Sequence, residues 1–135
     1  MKCFICSLGG INFGVPSEQT ERIIPVNRSQ TSVCETENQE TFISLPALFR
    51  QTDAAAPHGL VLKTGGKSTA AGLPVKTILL TPKIDIELEI PEEHIHRLPQ
   101  VFAGLFSCFR GACFTGGSPN MILILNPERL TESLS

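Results

Sequence analysis

Apolar and polar residues alternate with a period of two over much of the chain, the signature of half-buried β-strands. In CFICSLGGINFGVP, residues 3–16, Phe4, Cys6 and Leu8 fall on one side and Cys3, Ile5 and Ser7 on the other. After Gly9-Gly10, Ile11, Phe13 and Val15 alternate with Asn12 and Gly14. Two such runs joined by a glycine pair predict a β-hairpin, because glycine supplies the positive φ that two-residue hairpin turns require.

The pattern returns 56 positions later, from Gly9 to Gly65. In LVLKTGGKSTAAGLP, residues 60–74, Leu60-Val61-Leu62 precedes Gly65-Gly66, and Gly72-Leu73-Pro74 stands where the first copy has Gly14-Val15-Pro16. A polar stretch, an apolar pair and a proline follow each copy, in SEQTERIIPV at 17–26 and VKTILLTPKI at 75–84. TFISLPALF at 41–49 matches ILILNPERL at 122–130, each a strand running into a proline that can open a helical turn. The repetition predicts a single domain over 1–135 made of two similar β-rich lobes, one at about 1–56 and one at about 57–135. A lobe of that size has a marginal core alone, so the two are expected to share one. From the Gly-Gly turn to the closing strand takes 36 residues in the first half (Gly9 to Leu45) and 60 in the second (Gly65 to Leu125). The first lobe is therefore expected to lack about one hairpin's worth of chain.

Composition adds exclusions. Charged residues make up 18% of the chain, below the usual 25% or so, which predicts apolar surface left open for a partner. Eleven Lys and Arg against thirteen Asp and Glu leave a net charge of −2, with no basic cluster of the kind a nucleic acid requires. The longest aliphatic run, Met121 to Leu125, is far short of the roughly 20 residues that span a bilayer, so no membrane insertion is expected. The apolar stretch behind Lys2 is too short for a secretory core, and the expected location is cytoplasmic.

The candidate chemistry begins with five cysteines, Cys3, Cys6, Cys34, Cys108 and Cys113. An odd number argues against a disulfide framework and for small buried thiols. Cys3 and Cys6 have the spacing of a metal knuckle, but three steps along a strand put them on opposite faces about 10 Å apart, whereas zinc holds its sulfurs at about 2.3 Å. Cys108 and Cys113 flank Arg110-Gly111, where a turn would bring them together, and His94 and His96 share a face if PEEHIHRLP is extended. These four residues carry the alternative reading, a thiol- or metal-dependent small enzyme or sensor. Gly66-Lys67-Ser68 matches the end of a phosphate loop, but Val61 stands where its first glycine is required. No catalytic, cofactor-binding or metal residue is assigned. Four of the eight phenylalanines, Phe102, Phe106, Phe109 and Phe114, crowd into 102–114, as core or as an apolar interaction patch.

In their order, these features resemble the CheW-like family of bacterial chemotaxis adaptors. LVLKTGGKSTAAGLPVKTILL is similar to that family's strand, turn and small-residue strand. VFAGLFSCFRGACFTGGSPNMILILNPERL is similar to its closing strands and helix start, and CFICSLGGINFGVPSEQTERIIPV to its first hairpin. The resemblance implies a mainly β fold of two similar small β-barrel lobes with short helices. It implies a non-enzymatic adaptor that couples a histidine kinase regulatory domain to the cytoplasmic tip of chemoreceptors. The family's Asn-x-Arg-Gly stretch has no counterpart in NRSQTSVCETENQE, residues 27–40, so its receptor-facing residues are not carried over. The candidate partner-binding residues are Ile23 and Ile24, in an expected ERIIP turn, with Phe102, Leu105, Phe106 and Phe109. A β-barrel module with a partner outside chemotaxis is the remaining reading.

Overall fold

The computed structural model describes residues 1–28, 30–51, 55–63, 76–97, 108–114 and 121–134. The expected first hairpin is present: β1 (Lys2–Leu8) pairs with β2 (Ile11–Pro16) in antiparallel register, Cys6 opposite Phe13. Gly9 and Gly10 take φ of 53° and 86°, the left-handed values of a tight primed turn. The chain continues as β3 (Thr20–Pro25), β4 (Cys34–Glu37), β5 (Glu40–Ser44), α1 (Leu45–Leu48), β6 (His58–Leu62) and β7 (Lys76–Thr81). It ends with β8 (Lys83–Glu89), β9 (Phe109–Phe114), β10 (Met121–Leu125) and α2 (Pro127–Leu134).

These strands form two five-stranded sheets, β8-β1-β2-β10-β9 and β3-β6-β7-β5-β4. Exchanging each strand of the second order for the one five places away in sequence reproduces the first, so the internal repeat extends to the pairing. Each half gives its opening hairpin to one sheet and its remaining three strands to the other. The link is a parallel pair in each sheet, β10 with β2 and β5 with β7, and parallel strands cannot be joined by a tight turn.

Three expectations change here. The compact units are Met1–Ser17 with Asp85–Ser135, and Glu18–Ile84. A boundary near residue 56 therefore falls inside the second unit. The expected match of 17–26 with 75–84 is also out of step: β7 is the counterpart of β2, and β3 corresponds to β8. The connections explain the slip, because β1 and β2 are joined by Gly9-Gly10 while β6 and β7 are separated by 63–75. Gly65-Gly66 and Gly72-Leu73-Pro74 lie outside the described residues. Among the described strands each half has five, so no described strand of the second half is without a counterpart in the first. The extra chain of the second lies between β6 and β7, β8 and β9, and β9 and β10.

The alternation predicted from sequence sorts residues between the faces of each sheet. In the first unit Cys3, Ile5, Ile90, Cys113, Ile122 and Ile124 form one buried cluster. Cys6, Leu8, Phe13, Val15, Leu123 and Leu125, also buried, belong to the opposite face. In the second unit Phe42, Val61, Ile78 and Leu80 cluster on one face, and the register places buried Leu60, Leu79 and Ile43 on the other.

Both strand-to-proline segments turn helical, as the sequence implies. Ser44 caps α1, its Oγ accepting from the Ala47 N–H at 3.2 Å, with proline at the start of the helix. Before α2, Asn126 Oδ1 accepts from the Arg129 N–H at 3.3 Å, and Leu130 is buried.

Candidate functional site

An interaction surface is recognised by what a fold leaves uncovered. Among the described residues the exposed large hydrophobics are Ile23 (43%), Ile86 (57%), Phe114 (58%) and Met121 (41%). Ile23 and Ile86 are each the fourth residue of their strand, and those strands, β3 and β8, are counterpart edges of the two sheets. Phe114 and Met121 sit directly opposite one another on β9 and β10. An edge strand offers unpaired backbone groups to a partner, so Ile23, Ile86 and Phe114 on the edge strands β3, β8 and β9, with Met121 beside Phe114 on β10, make up the candidate interaction surface.

The edges are partly guarded. β3 carries a register shift between Thr20 and Arg22 and ends at Pro25, two features that discourage indiscriminate strand addition. β8 alternates Lys83, Asp85, Glu87 and Glu89 with Ile84, Ile86 and Leu88, so charge flanks its exposed isoleucine. At β9, His96 and Ala112 form an isolated bridge, exchanging backbone hydrogen bonds of 2.8 and 2.9 Å. Gly111 permits that approach, since a Cβ there would lie 2.5 Å from the His96 carbonyl oxygen.

Several sequence expectations are redirected. ERIIP forms an edge strand rather than a turn, with Ile23 outward and Ile24 packed on the second unit's cluster. Phe109 is buried and stacked on Phe13 with ring centroids 5.9 Å apart, so it belongs to the core. Phe102, Leu105 and Phe106 lie outside the described residues. Phe114, one of the four phenylalanines read as core or interaction patch, is the exposed one among those described, while Ile86 and Met121 were not singled out from sequence. For Ile86 the signal was there, an isoleucine between two acids in a strand with a charged residue at every second position.

The residues of the chemical alternative, Cys108, Cys113, His94 and His96, take separate places among the described elements. β9 is extended from Phe109, so Arg110-Gly111 is mid-strand and no turn joins Cys108 to Cys113. Cys3 and Cys6 are both buried, one opposite Pro16 and the other opposite Phe13, on opposite faces of β1. His94 ends a short 3-10 turn, Glu92–His94, and His96 makes the bridge to β9. Among the described residues no three His, Cys, Asp or Glu are grouped as metal ligands. Burial pushes the Cys3 thiol up to about 11 and raises Cys34, Cys108 and Cys113 as well. A nucleophilic thiol needs the opposite shift. No helix of the described residues is long and apolar enough to cross a membrane.

No family model matches the chain, and no curated protein matches it. Its fold is similar to that of the scaffolding protein TtCheW from Thermoanaerobacter tengcongensis, with a TM-score of 0.66 at 16% identity. The match covers 92% of this chain and 82% of that one. The fold is thus CheW-like, mainly β and two-lobed.

Proposed function

We propose that the chain is a non-enzymatic signalling adaptor of the chemotaxis type, binding a histidine kinase regulatory domain and the cytoplasmic tip of chemoreceptors. The observation that carries the reading is the CheW-like architecture, two sheets of the same strand plan in one chain. A scaffold needs two docking strips held in fixed chemistry and no reactive centre. Counterpart edge strands with exposed isoleucines, Ile23 on β3 and Ile86 on β8, supply such strips. Burying a fully exposed isoleucine contributes about 1.5–3 kcal/mol, so each serves as an apolar anchor within a larger contact whose edge-strand hydrogen bonds and neighbouring side chains supply the rest. The reading places the protein in the cytoplasm. Affinity capture of the tagged chain from lysate of its own source, followed by mass spectrometry, is expected to recover a histidine kinase. Recovery of neither kinase nor receptor would overturn the adaptor reading while leaving the fold intact.

A further inference from the structure

Each unit has a segment that leaves one edge strand and returns toward the opposite edge of the same sheet. In the first unit it is 90–97, after β8; in the second it is 26–33, after β3. The two are fastened by different forces. In the first, backbone bonds dominate: the Ile90 N–H donates to the Met1 carbonyl at 2.7 Å, and His96 and Ala112 exchange their two bonds beside Gly111, with one exposed ion pair, Arg110 to Glu92 at 3.3 Å, between them. Ile95 packs into the apolar cluster beneath.

In the second unit, among the described residues, backbone bonds fasten the two ends of the segment. The Val26 N–H donates to the Pro57 carbonyl at 2.9 Å, and the Ser44 N–H to the Val33 carbonyl at 2.8 Å. Side chains hold the middle. The Arg28 guanidinium lies 4.3 Å over the Phe42 ring, pairs with Glu37 at 2.6 Å and reaches Glu35 at 3.9 Å. Its Nε donates to Gln30 Oε1 at 3.0 Å, and Gln30 Nε2 donates to the Phe42 carbonyl at 2.9 Å. The arginine side chain is 21% exposed, whereas those of Glu35 and Glu37 are 42% and 59% exposed. Ion pairs of that exposure are weakened by salt.

We propose that Arg28 is the latch of an openable strap: the described residues 26–28 and 30–33 lift from Phe42 and β4 as a local unit when salt screens the ion pairs of Arg28, while β6 and β7 stay folded. Local openings of this kind take a fraction of the global stability and use segments with few backbone bonds. The counterpart segment 90–97 loses only its Glu92–Arg110 pair to salt and keeps the Met1 and Ala112 backbone bonds, so it does not open in this way. Lifting the strap uncovers Phe42 at the margin of the Val61, Ile78 and Leu80 cluster, so the two units, alike in strand plan, respond differently to ionic strength. The inference concerns the chain alone and stands or falls independently of the adaptor reading.

Native-state hydrogen exchange of the full chain, read amide by amide by NMR, tests it. Raising salt from about 0.05 to about 0.5 M, where the screening length shrinks severalfold, is expected to speed exchange at the Val26 and Ser44 amides. The His96, Leu60 and Leu79 amides should not respond. Arg28→Ala should speed Val26 and Ser44 about tenfold at low salt and abolish their salt dependence. Glu37→Gln, which keeps the side-chain shape, should take them part of the way. Salt-independent exchange at Ser44 in the unaltered chain overturns the proposal. So does a variant in which Leu60 and Leu79 accelerate as much as Ser44, since Arg28 would then support the whole fold. If Arg28→Ala does not fold, Glu37→Gln decides by the same comparison of Ser44 with Leu60.

Discussion

Phe109 and Ile23 are both large apolar residues on edge strands, and burial gives them different work. Phe109 stacks on Phe13 inside the first unit; truncating it to Ala should cost about 3–5 kcal/mol in urea denaturation. Ile23 lies open on β3, and Ile23→Asp should change stability by no more than about 0.5 kcal/mol. Glycines divide in the same way. A Cβ on Gly59 would meet Ile78 and Val26 methyls at 2.8 Å, so Gly59→Ala should destabilise by about 1–3 kcal/mol through overpacking. For the thiols, the fold holds Cys3 protonated from its ordinary 9.0 to about 11. Over that window the unfolded chain has lost the proton and the native one has not. The resulting stability is complete below pH 9 and lost as pH rises through about 11. A denaturation series across that range should show stability falling with pH, and the fall should shrink in Cys3→Ala. Alkylation of native protein at pH 8 should be slow until denaturant is added.

At the scale of elements, the caps and turns are where local chemistry was most legible. Gly9-Gly10 announced a hairpin, and both residues adopt positive φ. Ser44 before Leu45-Pro46 has the makings of a helix start, and its hydroxyl does cap α1. Ser44→Ala should cost about 1 kcal/mol by the same denaturation assay. ERIIP is an edge strand rather than the expected turn, and its Pro25 fits there because proline is tolerated at the end of an edge strand. The 102–114 segment misled in a different way. Its ring-rich composition suits a surface patch and a core equally, and only the Phe13 contact decides for Phe109. Phe114, a few residues on, is the exposed one.

For the whole molecule, the two-sheet plan makes the adaptor reading testable by substitution. Ile23→Asp and Ile86→Asp, on counterpart edges of separate sheets, should each cut capture of a partner at least tenfold without changing the melting curve, since a charge would be buried where an isoleucine packs. If both variants capture as well as the unaltered chain, the partners dock elsewhere. The repetition, the strand alternation and the helix-opening prolines are properties of the sequence alone, because a strand's period of two and a glycine's φ are local matters. The burial of four of the five cysteines, with Cys34 half-buried, is not. Tertiary structure decided which strands pair. Residues 1–17 close a sheet with residues beyond 85, and the chain's first half completes its own sheet with β6 and β7. Alternation states which side chains share a face but carries no label for the neighbouring strand. The exchange between halves, the burial of Phe109 and the latch at Arg28 became visible once residues distant in sequence were brought into contact.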